Sequence, residues 1–364
     1  MKAAVLHEIG KPLIVEDVQL DPPKNYEVRV KIAAAGVCRS DLHFMKGHAL
    51  IPIPAVLGHE GSAIVEQVGE GVGSVQPGDH VILSFVPYCG HCYSCLSGRP
   101  NLCDKHLATG AKLFDGTSRL HVNGQDVAHM GKVACFAEEA IVPETGCIPI
   151  GDHIPMDVAA LIGCSVTTGV GSALFSSDIL PGDTVVVVGC GGVGLNVIQG
   201  ARLLNASKII AVDINDAALE FASRFGATDA INPMHGDPLK KIKELTDGQG
   251  AHHTFEVYGS SETAKLAFDA ARKRGTVVMV GIAPVGETAP IDMVSLVRQE
   301  KNFKGSYYGS SRPSLDMHQM VSLYESGKLD IDSLVTRHYT LDQINEAYES
   351  LDQGVVGRGV IMLP

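Results

Sequence analysis

The chain has 364 residues, 45% of them hydrophobic and 19% charged, with a formal net charge of −12 and a pI near 5.6. That length accommodates two domains of ordinary size, and the composition is that of a globular chain with a substantial core. An acidic balance without a long Lys/Arg run gives nucleic acid nothing to hold, and no apolar run is read as approaching the roughly 20 residues that span a bilayer.

The opening residues carry no uninterrupted apolar stretch of signal-peptide length, so a cytoplasmic protein without a membrane partner is expected. In such a reducing compartment nine cysteines point to metal or catalysis rather than disulfides.

In chain order, the first half reads as an irregular, β-rich domain. Residues 26–38 ("YEVRVKIAAAGVC") and 62–72 ("SAIVEQVGEGV") alternate as strands, and 76–84 ("QPGDHVILS") is a turn feeding another. Residues 89–103 then place Cys89, Cys92, Cys95 and Cys103 in one short loop. At Pro181 the pattern changes to apolar strands alternating with helices, which argues a parallel sheet covered on both faces. The helices are expected at "DAALEFASRFGA" and at 261–272, and the strands at "TVVVV", "KIIAVD", "HHTFEVYGS" and "GTVVMVG". A helix over 341–353 and a strand "RGVIMLP" close the chain. The fold class is therefore α/β.

Gly189, Gly191 and Gly194 form G-x-G-x-x-G between a strand and a helix, and Asp213 ends the next strand. In that context the glycines serve a tight turn, approach of a pyrophosphate, and close helix–strand packing, while Asp213 accepts from ribose hydroxyls. A carboxylate there repels a 2′-phosphate, and Ile214 and Asn215 follow it rather than Arg, which favours NAD over NADP. The plainer alternative is a ligand-free turn with Asp213 as a helix cap.

Four thiols spaced C-x2-C-x2-C-x7-C suit one tetrahedral zinc, and a closed four-thiolate site leaves no position for substrate. Free cysteines or a redox pair are the alternative. A second set suits catalysis: Cys38 in "GVCRSDLH", His59 with Glu60 in "LGHEG", and Cys164 in "GCSVTTG". Three ligands would leave an open fourth position, although spacing alone does not link Cys164 to Cys38.

These motifs, in this order and running essentially end to end, resemble the zinc-dependent medium-chain alcohol dehydrogenases. The resemblance implies a GroES-like catalytic domain from 1–165 and 309–364 with a Rossmann-type coenzyme domain, 166–308, between them. It implies two zinc ions per chain, one on Cys38, His59 and Cys164 with Glu60 approaching transiently, the other on Cys89, Cys92, Cys95 and Cys103. By motif match Asp41 orients His59, and Ser40 and His43 form a proton relay that runs through the nicotinamide ribose. Arg39 and Arg358 match pyrophosphate contacts. Gly192 belongs to the glycine turn, Val193 packs behind the nicotinamide, and Thr168 lies near its ring.

The activity implied is reversible oxidation of primary or secondary alcohols, with hydride transfer to NAD. Two alternatives stay open: a glutathione–formaldehyde type of dehydrogenase, which Ser40 argues against because Thr is usual there, and a non-catalytic zinc- and NAD-binding relative. Ser40 as a mere helix cap, His43 as a surface residue and Phe85 as core rather than pocket are the competing readings of those residues. His106, His121 and His129 read as solvated. Ala218 stands where the family often has a basic residue. The insertion 114–130 resembles the longer-chain dimeric branch, so a homodimer is implied, a homotetramer being the alternative, with residues 303–310 as the pairing segment.

Overall fold

The alternation in 26–38 becomes the strand Glu27–Gly36, whose Val28, Val30 and Ile32 are wholly buried. In this computed structural model, which describes all 364 residues, that strand is the centre of a seven-stranded sheet. Gly61–Val68 pairs along one edge, and Glu139–Pro143 and Arg358–Met362 share the other. His80–Leu83 and Cys147–Ile150 extend the sheet beyond Gly61–Val68. A second, six-stranded sheet contains Lys2–Leu6 and, within the insertion, the hairpin Leu120–Val122/Gln125–His129. Its turn is Asn123–Gly124, both with positive φ (50° and 77°), the pairing a two-residue hairpin loop requires.

These elements belong to a unit made of Met1–Cys164 and Ser311–Pro364, and Ser165–Ser310 makes a second unit. The second unit is a six-stranded, all-parallel sheet. Its order is Asp229–Ile231, Lys208–Val212, Thr184–Val188, Ala251–Glu256, Ala271–Met279, Asn302–Gly305. The strand of this unit that comes first in the chain, Thr184–Val188, lies in the middle and the order reverses beside it, the doubly wound arrangement. Val185, Val186 and Val187 are wholly buried because helices cover both faces.

Local chemistry ends these helices. Asn215 caps Asp216–Phe225 by accepting from the Ala217 N–H, and Gly226 at φ 120° terminates it. Ser260 and Thr263 form a reciprocal capping box on Ser261–Ala270. That helix stops at Ala270 rather than 272 because Ala271 already begins the next strand.

Two expectations are corrected. The helical run Met156–Ser176 is 21 residues long and apolar enough to cross a membrane, so such a run does exist; 83% of its apolar 18-residue window is buried inside the protein, which accounts for its composition. His129 and His106 are not solvated but buried. His129 Nε2 accepts from the Arg119 N–H at 3.0 Å, and His121, half-buried, faces Asp21 at 3.0 Å. The insertion is thus a packed layer with its own polar interior, anchored where Arg119 donates two hydrogen bonds to Glu27.

Candidate metal centres and dinucleotide turn

Antiparallel pairing brings the first two ligands together. Ala35 lies opposite Gly61, and the Gly36 N–H donates to the Glu60 carbonyl at 2.7 Å. Cys38, just past one strand, and His59, just before the other, therefore stand at the same end of the sheet. The third ligand arrives on a single turn of π-helix, Ile162–Val166, packed so closely on the sheet that a Cβ on Gly163 would lie 2.7 Å from the Leu83 carbonyl. Such wide turns re-aim a side chain within a helical run, and here the residue concerned is Cys164.

The ligating atoms of Cys38, His59 and Cys164 all lie within 4.8 Å of one another, and all three residues are buried. Cys164 Sγ is 3.3 Å from His59 Nε2, and His59 Nδ1 is 3.2 Å from Asp41 Oδ1. Asp41 thereby fixes the tautomer that leaves Nε2 for a metal. A hydrogen bond from Cys164 holds the Cys38 thiol well below its ordinary range, with the His59 charge adding to it. Burial opposes charge on His59, but Asp41 and Cys38 outweigh it and raise the imidazole. A buried thiolate, thiol and imidazole held at this separation are a donor set that a dication would complete, so zinc fits them.

Glu60, expected to approach the metal only transiently, stands outside this ligand cluster. Its carboxylate is turned to Arg358, whose guanidinium pairs with it and also donates to the Val37 carbonyl at 3.0 Å. Arg358, 5% exposed, is thus directed inward onto Glu60, and the Glu60, Cys38 and Cys164 charges raise its pKa against the cost of burial.

Cys38 itself is the N-cap residue of the helix Arg39–Met45, so Ser40 is not its cap. Ser40 and His43 are both half-buried on that helix. Burial first, then the charges of His48 and Arg39, lower the His43 pKa. Phe85 lies edge-on to the His59 ring at 5.1 Å, a neighbour that the sequence could place only by analogy.

The four sulfurs of Cys89, Cys92, Cys95 and Cys103 also lie within 4.8 Å of one another. Cys92 and Cys95 are 3.4 Å apart, and the Cys89 N–H donates to Cys103 Sγ at 3.3 Å. Burial resists ionisation of Cys89, but the backbone N–H groups of His91 and Cys92 outweigh it and hold the thiol at about 6. Burial pushes Cys95 up to about 12. Four sulfurs gathered at these distances are a donor set that a dication would complete, and zinc again fits.

In the second unit the glycine turn links Thr184–Val188 to the helix Gly192–Leu203. Gly189 sits at φ 100°, where a side chain is strained, and a Cβ on Gly194 would run into the Gly189 carbonyl. Gly191 differs: its φ is −73° and a Cβ there would meet nothing within 4 Å. Nothing in the fold forbids a side chain at Gly191, so the open space before the helix N-terminus is the cradle a pyrophosphate would fill. Asp213, at the end of the next strand, accepts from the Cys190 N–H at 2.7 Å and the Asn215 N–H at 2.9 Å, which fixes its carboxylate beside the turn. Val193, like Gly192, is half-buried in the first turn of the helix, Thr168 is half-buried on Thr167–Ser176, and Arg39 is exposed.

Comparison with known proteins agrees with this chemistry. The alcohol dehydrogenase GroES-like domain matches residues 24–152 and the zinc-binding dehydrogenase domain matches residues 192–326. An NDMA-dependent alcohol dehydrogenase of Amycolatopsis methanolica is 40% identical, over 99% of this chain and 98% of its own. An S-(hydroxymethyl)glutathione dehydrogenase of Saccharomyces cerevisiae is also 40% identical, over 99% of this chain and 95% of its own. The crystal structure of benzyl alcohol dehydrogenase from Acinetobacter calcoaceticus, 34% identical, matches with a TM-score of 0.95, covering 100% of this chain and 99% of that one. The chain belongs to the zinc-dependent medium-chain alcohol dehydrogenases, oxidoreductases that act on alcohols with zinc and a nicotinamide cofactor.

Proposed function

We propose that Cys38, His59 and Cys164 hold the zinc that meets the substrate, that the four-cysteine loop holds a second, structural zinc, and that the enzyme oxidises medium-sized primary or aromatic alcohols, with NAD, held at the glycine turn, as the hydride acceptor. The observation that carries this reading is the buried three-ligand cluster with Glu60 kept away from it by Arg358. Three protein ligands leave a position for an alcohol oxygen. Bound there, zinc supplies Lewis-acid polarisation of that oxygen and brings its proton within reach of neutral pH.

The chain's own residues do the rest. Ser40, two positions after Cys38, accepts the hydroxyl proton. His43 lies three positions further along the same helix and so on the same side. With its pKa lowered by burial it is a neutral acceptor near pH 7 and delivers the proton to solvent. Asp41 holds His59 in the liganding tautomer. Gly191 leaves room for the pyrophosphate, and Asp213 receives the adenosine ribose and disfavours a 2′-phosphate. The benzyl alcohol dehydrogenase neighbour supports aromatic substrates.

A second reading, oxidation of a hydroxymethyl–thiol adduct, is favoured by the yeast relative and opposed by Ser40. A homodimer is proposed through the edge strand Asn302–Gly305, where Phe303 and, nearby in sequence, Met293, Val294 and Val297 are exposed. Location in the cytoplasm is proposed with it.

The test is metal analysis with NAD reduction over a panel including benzyl alcohol and S-(hydroxymethyl)glutathione. Two zinc ions per chain and turnover of simple alcohols are expected, with both a zinc and the turnover lost in Cys38→Ser. Full turnover in Cys38→Ser, or one zinc in the wild type, would sink the assignment. Preference for the glutathione adduct would move it to the second reading. Unchanged discrimination against NADP in Asp213→Ala would remove Asp213 as the selector.

A further inference from the structure

Asp41, fully buried, places both of its hydrogen bonds on one oxygen. Its Oδ1 accepts from the Gly58 N–H at 2.9 Å and faces His59 Nδ1 at 3.2 Å, while Oδ2 has no hydrogen-bond partner. A buried carboxylate oxygen in that condition calls for a donor. The Tyr348 hydroxyl, on the helix Ile344–Asp352, is likewise buried and without a partner. The two groups border one pocket through Phe136: the Tyr348 ring stands edge-on to it, and the Phe136 ring lies so close to Gly58, whose N–H donates to Asp41, that a Cβ there would meet it at 2.9 Å; the Asp41 charge accordingly acts on the phenol after burial itself.

Tyr348 is held firmly in place. Its ring stands edge-on to Phe136 at 6.0 Å. Its helix is tied down by Asn345, which exchanges two 2.9 Å hydrogen bonds with the backbone of Leu13, and by Asp352, which Lys46 reaches at 2.6 Å. Lys46 directly follows the helix that carries Asp41. The Cys135 thiol feels the same carboxylate, but a thiol is a weak donor.

We propose that Tyr348 is a positioning residue for the metal ligand His59. Its hydroxyl donates to Asp41 Oδ2, so the carboxylate is held at both oxygens and keeps His59 Nε2 aimed at the metal. The proposal deepens the reading of Cys38, His59 and Cys164 as a zinc set and rests on it. A phenylalanine here would fill the same space and pack on Phe136 equally well, so only the hydroxyl carries the assigned role.

The experiment is zinc content and chelator competition on wild type, Tyr348→Phe and Cys135→Ala. Two zinc ions are expected in all three at saturating metal. In Tyr348→Phe one of the two is expected to bind about 10–100-fold more weakly, the scale seen when a ligand's supporting partner is removed. The other ion, and both ions in Cys135→Ala, should bind as in wild type. Release of both ions from Tyr348→Phe at wild-type chelator concentrations would overturn the proposal. Weakening of both ions alike would overturn it too, because that marks general loosening. A wild type holding a single zinc would instead overturn the zinc set itself, and shows before any variant is made. If Tyr348→Phe does not fold, Tyr348→His, which keeps a ring donor, is compared with Tyr348→Leu; equal zinc affinity in that pair would overturn the proposal.

Discussion

Glu60 and Arg358, 298 residues apart in the chain, form an ion pair with side-chain exposures of 0% and 5%, beside the residue that leads into Cys38. Breaking a buried pair from one side leaves a desolvated charge, so Arg358→Leu should cost about 3–5 kcal/mol in chemical denaturation. Glu60→Leu/Arg358→Leu together should recover most of that loss, because two apolar groups replace two charges. Equal destabilisation of the single and double variants would show that shape, not charge, is what Arg358 supplies.

The two cysteine sets should fail differently. Cys95→Ser is expected to remove one zinc and lower the thermal midpoint by at least about 5 °C, a shift worth one to a few kcal/mol in a domain of this size. Cys38→Ser is expected to remove the other zinc and to cut turnover by about 10²–10³-fold or more, the scale of losing a charge-stabilising catalytic group. Scanning calorimetry beside steady-state kinetics separates the two.

Gly191 and Gly194 also predict opposite outcomes. Gly191→Ala adds a methyl to open space at a φ that any residue adopts, so its thermal midpoint should stay within about 2 °C of wild type. Its cofactor affinity should fall about tenfold or more, the equivalent of ~1.4 kcal/mol. Gly194→Ala forces a Cβ against the Gly189 carbonyl and should lower stability first. Calorimetry and cofactor titration on the same preparations check both.

Buried His129 gives an acid limit. Burial, reinforced by the charge of Arg119, depresses its pKa from 6.5 to about 3. Between those values the unfolded chain binds the proton and the folded one does not, so stability falls as pH falls. The contribution is complete above pH 6.5 and declines below it by up to about 1.4 kcal/mol per pH unit. His129→Gln should flatten this slope in denaturant midpoints taken at about pH 7, 5.5 and 4.5. An unchanged slope would assign the acid limit to other groups.

The coenzyme unit was largely legible because its signals are local. Apolar strands, the glycine turn and the acid at Asp213 lie within one short stretch, and each has a steric or electrostatic reason visible in the residue itself. The four-cysteine cluster is legible on the same ground, with a sequence separation of 14 between Cys89 and Cys103. Cys164 was reachable only through resemblance, since strand pairing and a π-turn, neither written in spacing, bring it to His59. The inward turn of Glu60 onto Arg358 depends on strand register at residues distant in the chain, and no local pattern announces it. The hairpin around Asn123–Gly124 did carry a readable signal, that dipeptide between two apolar-alternating runs, and the burial of His129 follows from it.

The return strand Arg358–Met362 has a consequence for how the protein is made. The four-thiolate loop contains all its ligands within one short segment and can take up metal soon after that segment leaves the ribosome. The Cys38 centre cannot be finished then. Its guardian arginine lies 321 residues beyond Val37, on a strand that must insert beside Glu27–Gly36, and at roughly 5–20 residues per second that is tens of seconds of synthesis. Until then Arg358 is not there to pair with Glu60. On the proposed zinc assignment the loop set would be loaded first and the Cys38 set last, with the final strand setting the order between them.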